Sequence, residues 1–96
     1  MDQNAHQIRL KRLKFRAWHR GFVEADLILG PFVDSHGAEL TPAQLDDLET
    51  LLEESDHDLY AWIIERAPTP PAFDTEVMNL IKRFRFSAHE ARQGLA

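Results

Sequence analysis

The chain contains no cysteine. That excludes disulfides, thiolate catalysis and cysteine metal sites, and it suits a reducing compartment. No apolar run approaches the ~18 residues a membrane span needs, so membrane insertion is not expected. There is no glycine-rich phosphate loop, so the chain is not expected to hold a nucleotide or cofactor of its own. The histidines, His6, His19, His36, His57 and His89, lie far apart, and no pair has helical ligand spacing. A closed metal site needs three or four converging ligands, and none is expected here. Nothing marks Ser35, Ser55 or Ser87 as a nucleophile beside a base. A stand-alone enzyme is therefore not expected. Nor does any segment sustain the apolar–polar alternation of a strand.

What remains is helical periodicity and charge. Ninety-six residues, 44% of them hydrophobic, suffice for one compact core without staples. The expectation is an all-α fold: a single small five-helix bundle spanning 1–96, ordered over about 7–86 with flexible ends. Net charge is -5, but its distribution is uneven. Residues 1–20 carry Arg9, Lys11, Arg12, Lys14, Arg16 and Arg20 against Asp2 alone, and the rest of the chain is strongly acidic. Such a dipole orients the molecule toward a charged partner, an effect that salt weakens. The basic N-terminus lacks the apolar stretch of a secretory signal. Residues 6–20 have the basic, amphipathic character of a transit peptide but run directly into an Arg-Gly element, so they are read as part of a cytoplasmic protein's fold.

The first helix is expected from about Gln7 to Trp18, with Leu10, Leu13, Ala17 and Trp18 inward and the cations outside. A second begins near Gly21. Its apolar set, Phe22, Val23, Ala25, Leu27, Ile28, Leu29, Phe32 and Val33, nearly encircles it, which predicts the most buried helix. Pro31 should kink or break it, and Ser35-His36-Gly37 should form a loop. Thr41, Pro42 and Gln44 predict a capping box opening a third helix through Leu45, Leu48, Leu51 and Leu52. Ser55 and Asp58 resemble a second one, opening a short helix with Leu59, Trp62 and Ile63 inward. The prolines of residues 67–71 give a stiff connector. Asp74 is expected to cap a last helix, Phe73 to staple onto Met78, and the tail to fray from about Ser87.

Two features invite a functional reading. The stretch Trp18-His19-Arg20-Gly21-Phe22-Val23-Glu24-Ala25-Asp26 places a fixed cation, a bare glycine backbone and two carboxylates where one helix gives way to the next. It suits a close-approach surface for a partner. Locally, Gly21 ends one helix and Glu24 stabilises the start of the next. That account leaves the crowding of Trp18, His19 and Arg20 unexplained. The basic first helix is open to three readings: a solvated face, a nucleic-acid contact, or a protein-docking face whose arginines pair with carboxylates. The acidic remainder opposes the nucleic-acid reading. Asp56-His57-Asp58 is explained by its place in a first helical turn, where carboxylates complement the dipole.

The segment from Arg12 to Gly30 resembles the signature region of the succinate dehydrogenase flavinylation factors, called SdhE in bacteria. Their hallmark Arg-Gly-x-x-Glu, followed by a hydrophobic residue and Asp, reads here Arg20-Gly21-Phe22-Val23-Glu24-Ala25-Asp26. Similarity continues in Phe32-Val33-Asp34 and in Leu45, Leu48, Leu51, Leu52, Asp56, Asp58, Leu59 and Trp62, covering about residues 7–86. Departures fall at Phe22, Val23 and Ala25: Phe22 or Val23, if exposed, enlarges an apolar docking patch and, if buried, only fills the core.

The resemblance implies a small helical assembly factor without chemistry of its own. Such a factor binds the flavoprotein subunit of succinate dehydrogenase, or of fumarate reductase, and promotes covalent FAD attachment there. The FAD belongs to the client, and this chain is expected to hold none. By the same resemblance Arg20, Gly21 and Glu24 lie at the client contact, Asp26 supports them, and Arg16, Trp18 and His19 extend the surface. Arg20 is expected to offer its donors to the client, and Glu24 to orient Arg20 or pair with a client cation. A monomer with no nucleic-acid partner is expected. The alternatives are a nucleic-acid-binding regulator using the first helix, or a helical adaptor for another client.

Overall fold

The computed structural model describes the backbone of residues 2–95 and the side chains of residues 4–85. Five α-helices follow one another: α1 (Asp2–Trp18), α2 (Val23–His36), α3 (Pro42–Leu52), α4 (Asp56–Ile63) and α5 (Glu76–Leu95). Single 3₁₀ turns at Gly37–Glu39 and Pro71–Phe73 lie between them, and there is no strand among the described residues. The fold is all-α, as the periodicity requires.

α2 is the hub, touching α1, α4 and α5, while α3 lies against α1 and α5. The core joins Leu13 and Ala17 of α1 to Ala25, Leu29, Phe32 and Val33 of α2, Leu45 and Leu48 of α3, Leu59 and Ile63 of α4, and Val77, Met78 and Ile81 of α5. No polar or charged residue belongs to this core among the described residues. The core is therefore held by apolar burial, about 1.5–3 kcal/mol for each large side chain.

Several local expectations needed correction. α1 begins at Asp2 rather than near Gln7, and α2 at Val23 rather than Gly21. Although α2 is central, it is not encircled by the core, because Val23 and Leu27 face outward. Nor does it break at Gly30-Pro31: the helix runs through to His36, and Ser35 and His36 belong to it rather than to a loop. Thr75, not Asp74, caps α5, its hydroxyl accepting from the Met78 N–H at 3.2 Å. Phe73, expected to staple onto Met78, stacks on Trp62 at 5.1 Å. The frayed tail expected from about Ser87 falls outside the described side chains; the backbone there continues α5 to Leu95.

At α3 the expected capping box is complete, whereas at α4 only its first half forms. Thr41 accepts from the Gln44 N–H while the Gln44 side chain accepts from the Thr41 N–H. The Ser55 hydroxyl accepts from the Asp58 N–H.

Gly30 sets how closely α1 and α2 approach. A Cβ at this position would lie 2.3 Å from Cδ2 of Trp18, because the indole lies directly over the glycine. The Trp18 Nε1–H donates to Asp34 at 3.1 Å and pins the ring there. For Gly30→Ala two effects compete: alanine favours the helix by ~1 kcal/mol, while overpacking costs ~1–3 kcal/mol. The contact involves the body of the ring rather than a flexible tip, so overpacking should win. A loss of about 1–2 kcal/mol is expected. In a Trp62→Phe background, Trp18 fluorescence should shift to the red; an unshifted spectrum with unchanged melting would show that the ring does not depend on Gly30.

Candidate functional site

The four residues between α1 and α2 make a tight corner. Gly21 takes φ 85°, the left-handed region that L side chains adopt only at a cost. Nothing lies within 4 Å of the position its Cβ would occupy, so its backbone faces open space. Phe22 follows in extended geometry as the N-cap of α2, with no side-chain cap bond. The Asp26 carboxylate, one turn into α2, reaches back and accepts from the Arg20 backbone N–H at 3.2 Å.

The Arg20 guanidinium points inward, and its side chain is only 8% exposed. Its Nε donates to Asp56 at 2.7 Å, and its two terminal nitrogens donate to the carbonyls of Leu52 and Glu54, each at 2.6 Å. Leu52 ends α3 and Asp56 begins α4. One planar fork therefore satisfies orphan carbonyls at a helix C-terminus and ties the α3–α4 turn to the α1–α2 corner. This corrects the expectation that Arg20 offers those donors to a partner. Its place is beneath the corner, with its side-chain donors used within the chain. Nor does Glu24 orient it: Asp56 and two carbonyls do so, and Glu24 stands exposed in the first turn of α2.

Of the other expected residues, Arg16 and His19 come together with Phe15, Arg20 and Asp56 around one shallow hollow beside Gly21. His19 lies against the Phe15 ring at 4.4 Å. Trp18 belongs elsewhere, on the α2 side of α1, although about a third of it remains exposed. Val23 is 64% exposed and enlarges the outer apolar surface. Phe22 is half-buried, edge-on to His57 at 5.1 Å and tilted against Tyr60 at 5.3 Å. Ala25 is buried in the core.

Asp56, His57 and Tyr60 are thus part of the corner, and the sequence reading missed them. The sequence places Asp56 in the first turn of its own helix. No local signal ties it to Arg20, which lies 36 residues away. Among the described residues no group of three or more histidines and carboxylates is placed to hold a metal, and no helix is long and apolar enough to cross a membrane.

Fold and corner together define a small all-helical protein whose α1–α2 corner is tied to the α3–α4 turn. A family model described as flavinator of succinate dehydrogenase matches residues 11–85. The chain belongs to this family. It is 39% identical over 72 residues to succinate dehydrogenase assembly factor 2, mitochondrial, of Dictyostelium discoideum, covering 75% of this chain and 51% of that protein. It is 37% identical over 78 residues to assembly factor 2-B, mitochondrial, of Drosophila simulans, covering 79% and 50% respectively. Identity to the FAD assembly factor SdhE of Acetobacter pasteurianus is 44% over 71 residues, covering 74% and 65%. The chain thus spans about half to two thirds of the length of these relatives.

Proposed function

We propose that this chain is an assembly factor that binds the flavoprotein subunit of succinate dehydrogenase, or of fumarate reductase, and promotes covalent attachment of its FAD. It acts as a cytoplasmic monomer, performs no bond-making step, holds no FAD and engages no nucleic acid. The observation that carries this reading is the open backbone at Gly21, braced from below by Arg20 and Asp26, in a chain of the flavinator family. Gly21 lets the client approach closely. Arg16, His19, Glu24 and the exposed Val23 surround the contact, Trp18 flanks it from the α2 side, and Arg20 holds its shape. Binding then favours a client conformation in which the flavin pocket is ordered for attachment, a population shift in which the chemistry stays with the client.

The test is a reconstituted reaction: flavoprotein subunit and free FAD, with and without this protein, followed by in-gel flavin fluorescence. Faster or more complete flavinylation in its presence is expected. Equal fluorescence with and without it would reject the assignment.

A further inference from the structure

The outer face of α1 is unusual for a small bundle. Ile8 is 48% and Phe15 67% exposed, and Lys11, Arg12 and Arg16 stand exposed around them. None of these three cations has a hydrogen-bond or ion-pair partner among the described residues, whereas Arg9, Lys14, Arg20 and Lys82 do. Along a helix, positions 8, 11, 12, 15, 16 and 19 form one continuous stripe. A shallow hollow bordered by Ile8, Arg12 and Arg16 shares Arg16 with the hollow beside Gly21, so the stripe runs directly into the corner.

The stripe is one helix wide, roughly 10–12 Å. Carboxylates bound it on both sides: Asp46 and Glu49 of α3, which pair with Arg9, and Asp34 of α2, 4.0 Å from Lys14. A broad phosphate array, whether a bilayer or a duplex, would meet those flanks as repulsion. A single acidic helix would fit between them.

We infer that this stripe is a docking track for an acidic amphipathic helix of the protein partner. That helix would set two apolar side chains about seven residues apart against Ile8 and Phe15, which are roughly 10 Å apart along α1 at 1.5 Å per residue. Its carboxylates would face Lys11, Arg12 and Arg16. The inference rests on the functional reading above and extends the contact from the corner along α1. The cations steer the encounter, and the two apolar anchors hold the complex.

The test uses the full chain in three forms: wild type, the double variant Lys11→Glu/Arg12→Glu, and Phe15→Ser. All of these positions are exposed, so melting should match wild type. Binding to the flavoprotein subunit free of covalent flavin is followed by stopped flow. Charge reversal should slow association about tenfold or more at low salt, and Phe15→Ser should speed dissociation. Rates equal to wild type in both variants would overturn the inference.

If wild type does not bind the subunit, the functional reading fails and a second probe decides this one. The probe is a synthetic helix with two leucines seven residues apart among glutamates. Amide shifts at Lys11, Arg12 and Phe15 that vanish in the charge-reversed variant support the track, and their absence overturns it. Retention of wild type on duplex DNA or phosphatidylglycerol vesicles at physiological salt, lost on charge reversal, without binding of the peptide, also overturns it.

Discussion

Arg20→Ala should lower the melting temperature of this protein by roughly 10 °C or more and should weaken partner binding as a consequence. The substitution removes the donors that serve the Leu52 and Glu54 carbonyls and the Asp56 carboxylate. Each bond from a charged donor is worth ~1.5–3 kcal/mol when buried. Asp56 is 33% exposed, so water can replace part of what it loses, and ~2–3 kcal/mol is a sounder total than the sum. In a domain of this size 1 kcal/mol shifts the melting point by ~4–8 °C.

Arg20→Lys keeps the charge but replaces a planar fork with a single ammonium, so it should recover only part of the loss. Circular dichroism melting checks the magnitude, and amide exchange in the α3–α4 turn checks the cause. Unchanged melting, with exchange at residues 52–56 also unchanged, would mean the fork does not hold the turn. A guanidinium that met only the partner would leave melting nearly unchanged, so this experiment separates a contact residue from a brace.

Gly21→Arg should behave in the opposite way: a modest effect on the fold and a large one on recognition. A non-glycine residue in the left-handed region costs ~1–2 kcal/mol, which a bundle with a continuous core should survive. The first added atom, the Cβ, has nothing but its chain neighbours within 4 Å, so the longer side chain starts out into the open space that a partner would enter. Loss of partner binding by ~100-fold or more, and of stimulated flavinylation with it, is expected; this corresponds to about 2.7 kcal/mol. Gly21→Asn provides the control, since asparagine tolerates this backbone region and adds little bulk. If Gly21→Arg binds as tightly as wild type, the corner is not the contact. If Gly21→Asn loses binding as fully as Gly21→Arg, the partner approaches so closely that even a small side chain is excluded.

Much of the fold was legible because its signals are local. Thr41 with Gln44 and Ser55 with Asp58 mark helix starts through bonds spanning three residues. Leu45, Leu48, Leu51 and Leu52 share one face of α3 and are all buried. The misreadings arose where a distant part of the chain intervened. Gly30-Pro31 carries the local chemistry of a break, yet α2 runs on with the Trp18 ring of α1 lying over Gly30. Val23 and Leu27 carry the chemistry of a core, yet they face outward.

The candidate site divides in the same way. Gly21 beside Arg20 is a local motif, and its left-handed turn follows from residue type and helix geometry. The partners of Arg20 do not. Asp56 and the carbonyls of Leu52 and Glu54 come within 2.7 Å only because α3 and α4 fold back beside the α1–α2 corner. Helix boundaries, caps and charge asymmetry depend on neighbours within a few positions, so the order of residues settles them. Whether a fixed cation faces a partner or its own backbone depends on which elements pack around it. Burial makes a donor without an acceptor costly, so at Arg20 the packing turned the guanidinium inward.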